Sequence, residues 1–263
     1  MSQYARELSL IGEENFKKLR GASVAVFGIG GVGSYAAEAL VRAGVGSLTF
    51  VDGDAVAESN LNRQLVALHS TLGKNKAEVM AARAKDIDPA CKVTALPYYY
   101  KEEDARLFDF SRFSYVADCI DSVADKVALI AAARAAGVPV VSCMGAGNRL
   151  HADFRVADVE KTSGCPLARI VRRELRARGV TGVAAVYSPT EPLSPSRAFG
   201  KEGERLIGSI SFVPSAAGLL VAETVVARLL AGGWTENKEE GGEQRGVAAR
   251  WVYKKIRYIG EGE

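Results

Sequence analysis

The sequence predicts an α/β fold: a Rossmann-like, doubly wound and mostly parallel sheet, extended by a small mixed α+β C-terminal part. Short apolar runs alternate with helical patterns as far as residue 143, which is typical of a parallel sheet with helices on both faces. A glycine-rich turn follows the first apolar run, as in nucleotide-binding sheets. After Gly145 the alternation stops. We therefore expect residues 1–230 to form one domain and residues 231–263 a polar linker and short tail.

The first half contains helix and strand patterns in turn. The opening helix places Leu8, Ile11, Phe16 and Leu19 roughly on one face. The later apolar runs of four to six residues have the length of buried strands, and each is followed by a helical pattern or a polar turn. The predicted elements are a helix over 4–20, a strand over 23–28, a helix over 33–43, a strand over 47–52, helices within 60–88, strands over 93–98 and 115–120, a helix over 123–136 and a strand over 139–143.

The second half has a different pattern. Residues 148–159 suggest antiparallel strands with a turn, and residues 166–178 a basic helix. This helix belongs to the basic segment 161–180, where six basic residues and one acidic residue give a local charge of +5. The proline- and serine-rich segment 188–206 is expected to be a mobile loop. Residues 207–212 are expected to return as a strand before the last helix, which reaches residue 230.

Composition excludes few classes of function. A net charge of +3 and a pI near 8.6 permit contact with nucleic acid but do not require it. The N-terminus has no apolar signal core. The most apolar segment, 212–230, contains Pro214, Glu223 and Arg228, which favours a buried helix over a membrane span. We therefore expect a cytoplasmic protein.

The four cysteines do not form a metal or disulfide pattern. Cys91, Cys119, Cys143 and Cys165 are far apart, and no Cys-x-x-Cys pair occurs. This argues against a structural zinc site and against a disulfide framework. Cys165 precedes a proline and is interpreted either as a plain loop thiol or as a reactive one.

The glycine-rich turn is the first candidate binding site. Its glycines allow the backbone to approach phosphates, and the helix that follows supplies free N–H groups and the positive end of a dipole. On its own this turn is weak evidence, because dehydrogenases share it. The candidate nucleotide-binding residues of the turn are Gly28, Gly30, Gly31, Gly33 and Ser34.

A carboxylate follows the second predicted strand. Asp52 lies 19 residues after Gly33, where it could accept hydrogen bonds from ribose hydroxyls. Asp54, in the same turn, is a second candidate. An NAD-dependent enzyme would use such a carboxylate in the same way, and a solvated turn residue is the alternative interpretation.

Two basic side chains distinguish a site for adenylation from a site for hydride transfer. Arg63 and Lys76 follow the glycine turn, and Asn60 and Gln64 flank Arg63. Adenylation requires such cations because charge develops on the α-phosphate and the leaving pyrophosphate, whereas hydride transfer does not. Isolated cations of this kind are usually exposed charges on solvated helices, so the inference depends on the ordered set.

Asp121 ends an apolar strand and is a candidate ligand for Mg²⁺, which would bridge phosphate oxygens. Asp125, four residues later, is interpreted as a charge at a helix N-terminus.

Taken in order, these residues resemble the E1-like adenylating superfamily over residues 4–230. The likeness lies in Gly-x-Gly-Gly-Val-Gly-Ser, Asp52, Asn60-x-Asn-Arg-Gln64, Lys76 and Asp121. It implies ATP and Mg²⁺ as cofactors and a homodimer. The segment Tyr4-Ala5-Arg6 also resembles the superfamily's N-terminal motif, which implies that Arg6 reaches the ATP phosphates of the partner protomer. The implied catalytic set is Arg6, Arg63, Lys76 and Asp121.

Within that superfamily the chain most resembles the tRNA threonylcarbamoyladenosine dehydratases. Three stretches, 143–148, 161–168 and 208–214, support this likeness. It implies that a tRNA bearing N6-threonylcarbamoyladenosine is activated on its carboxylate as an acyl-adenylate, and that its own ureido group then closes a ring and releases AMP. No protein nucleophile is needed for this, since the attacking group is tethered to the acceptor.

The basic helix agrees with an RNA substrate. Its arginines recur every three or four residues and so share one face that can neutralise phosphates. A solvated helix face is an equally good interpretation. The candidate RNA-binding residues are Arg169, Arg172, Arg173 and Arg176.

Three alternatives stay open at this point. An adenylyltransferase that activates a ubiquitin-like sulfur-carrier protein would share the ATP site and differ in its acceptor, with a sulfur-transfer protein as partner. An NAD-dependent oxidoreductase would have no use for Arg63 or Lys76. A nucleotide-responsive RNA-binding module would need no cations that stabilise a transition state.

Overall fold

A computed structural model of the protein describes residues 2–106, 108–194 and 207–231. Within these residues seven strands form a single sheet. The strands are β1 (Ser23–Phe27), β2 (Ser47–Val51), β3 (Lys92–Leu96), β4 (Tyr115–Asp118), β5 (Val140–Cys143), β6 (Arg155–Asp158) and β7 (Ala184–Tyr187). The α-helices are α1 (Ala5–Gly21), α2 (Gly33–Arg42), α3 (Lys76–Ile87), α4 (Val123–Ala135), α5 (Pro166–Ala177) and α6 (Phe212–Ala231).

The strand order is β3-β2-β1-β4-β5-β7-β6. All neighbours pair in parallel except β6 and β7, which are antiparallel. The chain therefore leaves β1 in one direction, through β2 and β3, and later returns to its other side with β4. This reversal opens a crevice at the carboxyl end of β1, the position where such sheets bind ligands. The predicted fold class is confirmed.

Alternating side chains of β1 divide the core into two layers. Val24 and Val26 pack in the cluster that also contains residues of α2, α3 and α6. Ala25 and Phe27 face the other cluster, with residues of α4 and α5. All four side chains are fully buried, as expected of a central strand covered by helices on both faces.

Helix α6 lies very close to the start of α2. A Cβ atom added to Gly218 would lie 2.3 Å from the carbonyl oxygen of Val32, so only glycine permits this approach. Among the described residues, α6 is the one helix long and apolar enough to cross a membrane, and half of that stretch is buried inside the protein. Such a helix is weak evidence for a membrane span, because core helices of soluble proteins have the same composition.

Helix α1 consists of two segments. Gly12 has φ 77° and ψ 163°, which breaks the helix near its middle. The first segment is anchored by Tyr4, whose hydroxyl donates to Asp88 Oδ2 at 2.8 Å. Arg20, near the end of the second segment, contacts the same oxygen at 2.5 Å.

Three features of the second half differ from the predictions. Residues 148–159 contain one strand, β6, whose antiparallel partner is β7 and not a second strand of that segment. Residues 207–210 form no strand, and the chain enters α6 at Phe212. Their backbone instead pairs with the loop at Asn148, which exchanges hydrogen bonds with Gly208. Strand β7 was not predicted from the sequence, although it is the central partner of β5 and β6. The predictions for residues 195–206 and 232–263 lie outside the described residues.

Candidate active site

A cavity of about 760 Å³ opens at the carboxyl ends of β1, β2, β4 and β5. Residues from both halves of the chain line it, so it lies across the reversal of strand order. The predicted residues in its wall are Gly28, Gly30, Gly31, Asp52, Asp54, Asn60, Arg63, Gln64, Lys76 and Asp121. The second half contributes residues 143–149 and 165–167.

The glycine turn requires glycine for steric reasons. Gly28 has φ 82°, and a Cβ there would lie 2.7 Å from the carbonyl oxygen of Cys119. A Cβ on Gly33 would lie 1.8 Å from the carbonyl oxygen of Gly28. Ser34 is fully buried, and its hydroxyl donates to the oxygen of Gly30 at 2.6 Å. Neither Gly33 nor Ser34 lines the cavity, so both shape the turn, while Gly28, Gly30 and Gly31 face the cavity.

Asp52, which follows β2, accepts a hydrogen bond from the glycine turn. Its Oδ2 accepts the N–H of Ile29 at 2.5 Å, and its Oδ1 accepts the N–H of Asp54 at 2.8 Å. Burial raises the pKa of this carboxyl above its usual value, and the two backbone hydrogen bonds oppose that effect. Each oxygen keeps a second lone pair, which can accept a hydroxyl hydrogen from a ligand in the cavity.

Lys76 is held at the start of α3 by Asp54. Its Nζ lies 2.7 Å from Asp54 Oδ2, and the residue is only 5% exposed. The hydroxyl of Tyr99 donates to the other carboxylate oxygen at 2.5 Å. Partial burial acts against ionisation of Asp54, but the hydrogen bonds from Lys76 and Tyr99 lower its pKa. Tyr99 was not predicted, because it belongs to a run of three tyrosines that carries no nucleotide-binding pattern.

Arg63 and Gln64 lie beside the glycine turn. The Nη1 atom of Arg63 donates to the backbone oxygen of Ser59 at 2.7 Å and to Asn62 Oδ1 at 3.0 Å. Asn60 uses its Oδ1 to accept the N–H of Ala57. Gln64 Oε1 is buried and has no hydrogen-bond partner in the part of the chain that the structure describes. A buried acceptor without a partner costs free energy, so this atom suits a ligand that carries a donor.

Asp121 faces the cavity from the loop between β4 and α4. Its side chain is exposed and makes no hydrogen bond or ion pair within the described ranges. Asp125, in the first turn of α4 as predicted, also lines the cavity. No cluster of three or more metal-binding side chains occurs among the described residues. One or two carboxylates agree with Mg²⁺, which takes its remaining ligands from phosphates and water.

Arg149 lies in the wall formed by the second half and was not predicted. It is 6% exposed. Its Nη1 donates to Ser188 Oγ at 2.8 Å and to the backbone oxygen of Thr190 at 2.7 Å, and its Nε donates to the oxygen of Gly145 at 3.2 Å. It forms no ion pair with any carboxylate in the described ranges. In the sequence Arg149 is a lone arginine after Asn148, and only the fold brings it to the cavity.

Three cysteines also line this cavity. Burial raises the pKa of Cys143 to about 12 and that of Cys119 well above its usual value. Both are therefore protonated thiols at neutral pH and poor nucleophiles. Cys165 is buried and precedes α5, but its side chain makes no capping hydrogen bond.

The predicted RNA-binding face of α5 is partly engaged within the chain. Arg172 Nη1 donates to the backbone oxygen of Thr162 at 2.6 Å, Arg173 pairs with Glu174 at 2.8 Å, and Arg176 pairs with Glu160. Arg169 is exposed and has no hydrogen bond to another described residue through its side chain. Arg6 is also exposed, on α1, and does not line the cavity of its own protomer.

Comparison with known sequences places these features in a protein family. The profile of the ThiF family matches residues 3–245. A tRNA threonylcarbamoyladenosine dehydratase of Bacillus subtilis (strain 168) is 40% identical over 242 residues, which cover 88% of this chain and 95% of that relative. A molybdopterin-synthase adenylyltransferase of Escherichia coli (strain K12) is 34% identical over 193 residues, which cover 72% of this chain and 75% of that relative.

A solved structure of a related enzyme has the same fold as this chain. The tRNA N6-threonylcarbamoyladenosine dehydratase of E. coli in complex with ATP superimposes with a TM-score of 0.80. It is 34% identical in sequence, and the match covers 88% of this chain and 94% of that one. The same enzyme has also been solved in complex with AMP.

Proposed function

We propose, from the premise that this chain belongs to the ThiF family, that it is an ATP-dependent tRNA threonylcarbamoyladenosine dehydratase. It adenylates the carboxylate of N6-threonylcarbamoyladenosine at position 37 of tRNA and promotes its cyclisation, with release of pyrophosphate and AMP. The observation that carries this proposal is the single cavity in which the glycine turn, Lys76 and Asp121 face the loops of the second half.

The first half of the chain supplies the nucleotide site. Gly28, Gly30 and Gly31 bring the backbone close to the phosphates, and Asp52 accepts from the ribose hydroxyls. Gln64 Oε1, buried without a partner among the described residues, gains a donor from the nucleotide. Arg63 and Lys76 then stabilise the charge that develops on the phosphates.

Lys76 must change partner in that step. In the structure it neutralises Asp54, whose other oxygen is held by Tyr99. The triphosphate would compete with Asp54 for Nζ, and Tyr99 would keep Asp54 in place when Lys76 turns. Asp121, with Asp125 nearby, would hold Mg²⁺, which when bound would neutralise charge on the phosphate oxygens.

The proposed reaction has two steps. A carboxylate oxygen of the acceptor attacks the α-phosphorus, a new C–O–P link forms, and the bond to the β-phosphate breaks to release pyrophosphate. The ureido group of the same acceptor then attacks the acyl carbon, loses a proton and displaces AMP. The net change in the RNA is the loss of one water. The raised pKa values of Cys119 and Cys143 agree with a route that uses no cysteine nucleophile.

The choice of acceptor rests on the second half of the chain. The three stretches in which the sequence resembles the dehydratases, 143–148, 161–168 and 208–214, all contribute residues to the lining of the cavity. The alignment to a dehydratase covers 88% of the chain at 40% identity, and the alignment to an adenylyltransferase covers 72% at 34% identity. Arg169, Arg172, Arg173 and Arg176 would contact RNA phosphates outside the cavity.

The active unit that we propose is a homodimer in the cytoplasm, where its tRNA substrate is available. Arg6 is exposed on the first segment of α1 and does not line the cavity of its own protomer. In a homodimer it would contact the ATP phosphates of the partner protomer. No resident sulfur-transfer partner is required for the dehydration itself.

The experiment is ATP–pyrophosphate exchange and AMP release with Mg²⁺, comparing tRNA that carries threonylcarbamoyladenosine with the same tRNA that lacks it. Exchange only with the modified RNA, together with loss of the mass of one water, supports the proposal. Exchange only with a carrier protein that ends in Gly-Gly would assign the chain to the sulfur-carrier activators instead.

A further inference from the structure

We propose that Arg149, together with the N-terminus of α5, forms the subsite that binds the acceptor's carboxylate before adenylation. This inference rests on the proposed function and adds to it the residue that selects an acidic acceptor. The subsite lies in the part of the cavity wall that the second half of the chain forms.

The charge of Arg149 has no anionic partner in the described part of the chain. Its four acceptors there are the hydroxyls of Ser188 and Thr190 and the backbone oxygens of Gly145 and Thr190, all of them uncharged. A buried cation is costly unless it is paired, and an arginine cannot relieve the cost by losing its proton. An anion in the adjoining cavity would supply the missing charge.

The backbone around Arg149 is fixed from several directions. Asn148 has φ 55°, an uncommon value for a residue other than glycine. Its N–H and Oδ1 both bond to Gly208, and its carbonyl oxygen accepts the N–H of Leu193. A conformation of this kind persists only when its surroundings enforce it, and such residues cluster at ligand sites. The guanidinium is therefore held in place before a ligand arrives.

The hydrogen bonds of Arg149 leave part of the guanidinium unused. They involve Nε and Nη1, and no hydrogen bond from Nη2 to the described residues is found. The planar fork of arginine suits the two oxygens of a carboxylate. The side chain lines the same cavity as Asp121, so a carboxylate bound there shares one cavity with the phosphates.

The start of α5 adds donors to the same wall. Cys165 precedes the helix without a side-chain cap, and Pro166 has no N–H, while Leu167 lines the cavity. The first N–H groups of a helix lack an intrahelical acceptor and lie at the positive end of its dipole. This terminus alone would not define a site, but it faces the same cavity as the buried cation.

The test uses the full chain and two nucleosides, N6-threonylcarbamoyladenosine and its carboxyl methyl ester. Neither carries a phosphate, so binding to an RNA backbone cannot produce the result. Affinities are measured calorimetrically in the presence of α,β-methylene ATP, which prevents the acid from being consumed. The proteins are the wild type, Arg149→Gln, Arg149→Lys, and Arg42→Gln as an exposed arginine that does not line the cavity.

We expect the wild type and Arg42→Gln to bind the acid about tenfold or more tightly than the ester, since hydrogen bonds to charged groups are among the strong ones. Arg149→Gln should bind both nucleosides alike while its affinity for the ATP analogue stays normal. A merely structural arginine would change the affinity for the analogue and leave the preference for acid over ester intact.

If Arg149→Gln keeps the wild-type preference, the inference is overturned. If Arg149→Gln also loses the ATP analogue, Arg149→Lys decides: a reduced preference supports the subsite, and an unchanged one overturns it. A wild type that releases AMP with modified tRNA but shows no preference for the acid overturns only this inference. A wild type that releases no AMP with modified tRNA overturns the proposed function as well.

Discussion

Lys126 Nζ lies 2.7 Å from Asp118 Oδ2, and both side chains are fully buried beneath the cavity. Ser142 donates to the same carboxylate oxygen at 2.6 Å, and the carbonyl oxygen of Cys143 accepts from Lys126 at 3.0 Å. The other oxygen of Asp118 accepts the N–H of Ile120. The ion pair therefore ties α4 to the ends of β4 and β5, where the loop that carries Asp121 begins.

Replacing Lys126 with methionine should lower the free energy of unfolding by about 3–5 kcal/mol, because it leaves a buried carboxylate without its cation. Urea unfolding at neutral pH measures this difference. Lys85→Met, at an exposed position on α3, is the control and should change stability by less than about 0.5 kcal/mol. Equal stability of the two variants would contradict the role of the pair.

Alanine at Gly33 should destabilise the fold by about 3 kcal/mol or more, since its Cβ would overlap the carbonyl oxygen of Gly28 and the backbone must shift. Gly21→Ala is the matched control, because a Cβ there meets nothing within 4 Å. Thermal unfolding of the two variants without nucleotide tests the prediction. A stable Gly33→Ala protein that only lost ATP binding would show that Gly33 acts on the ligand instead.

Lys76→Ala should reduce the rate of AMP release at least about 100-fold, as loss of a group that stabilises developing charge does in other enzymes. Lys74→Ala removes a neighbouring lysine that is exposed and outside the cavity, and it should retain activity. Single-turnover rates with modified tRNA distinguish the two. Normal rates in Lys76→Ala would remove this residue from the proposed site.

Asp121→Asn should abolish activity at ordinary Mg²⁺ concentrations without loss of stability, because Asp121 has no partner among the described residues. The free energy of unfolding, measured by thermal unfolding, should change by less than about 0.5 kcal/mol. Raising Mg²⁺ should recover part of the activity, which a variant with a misfolded loop would not show. Asp86→Asn, exposed on α3, provides the comparison.

Charge reversal at Arg169 and Arg173 should weaken binding of tRNA and reduce its salt dependence, by about 0.7–0.9 in the logarithmic slope for each RNA phosphate that the variant no longer neutralises. Both residues are exposed on α5, whereas Arg172 is half-buried and bonded to Thr162. Filter binding over a range of salt concentrations measures the slope. An unchanged slope together with weaker ATP binding would assign this helix another role.

The parts of the site that directly follow strands could be predicted from the sequence. Gly28, Asp52 and Asp121 each come directly after an apolar run, and parallel strands bring such positions to one edge of the sheet. Strand β7 was not predicted because it is short. Its four residues, Ala184–Tyr187, are apolar and show no alternation with polar residues. Such a run cannot be distinguished from a buried helix segment by periodicity.

Long-range contacts explain the remaining misses. Arg149 becomes a cavity residue only because Ser188 and Thr190 follow β7, a strand 35 residues further along the chain that pairs with β5. Residues 207–212 were expected to form a strand, and within them Ile210 and Phe212 alternate with Ser209 and Ser211. Gly208 instead accepts the backbone N–H of Asn148 and donates its own N–H to Asn148 Oδ1, a long-range contact that local patterning does not encode.

The reversal of strand order at β1 also has an evolutionary consequence. The residues that we assign to the nucleotide follow β1, β2 and β4 or lie on the segments between them, all within the first 125 residues, whereas the loops after β5 and before α5 form the wall that we assign to the acceptor. The two walls are inherited as separate stretches of gene. A lineage can therefore exchange the molecule that is activated by altering the later stretch alone, while the machinery that cleaves ATP is passed on unchanged.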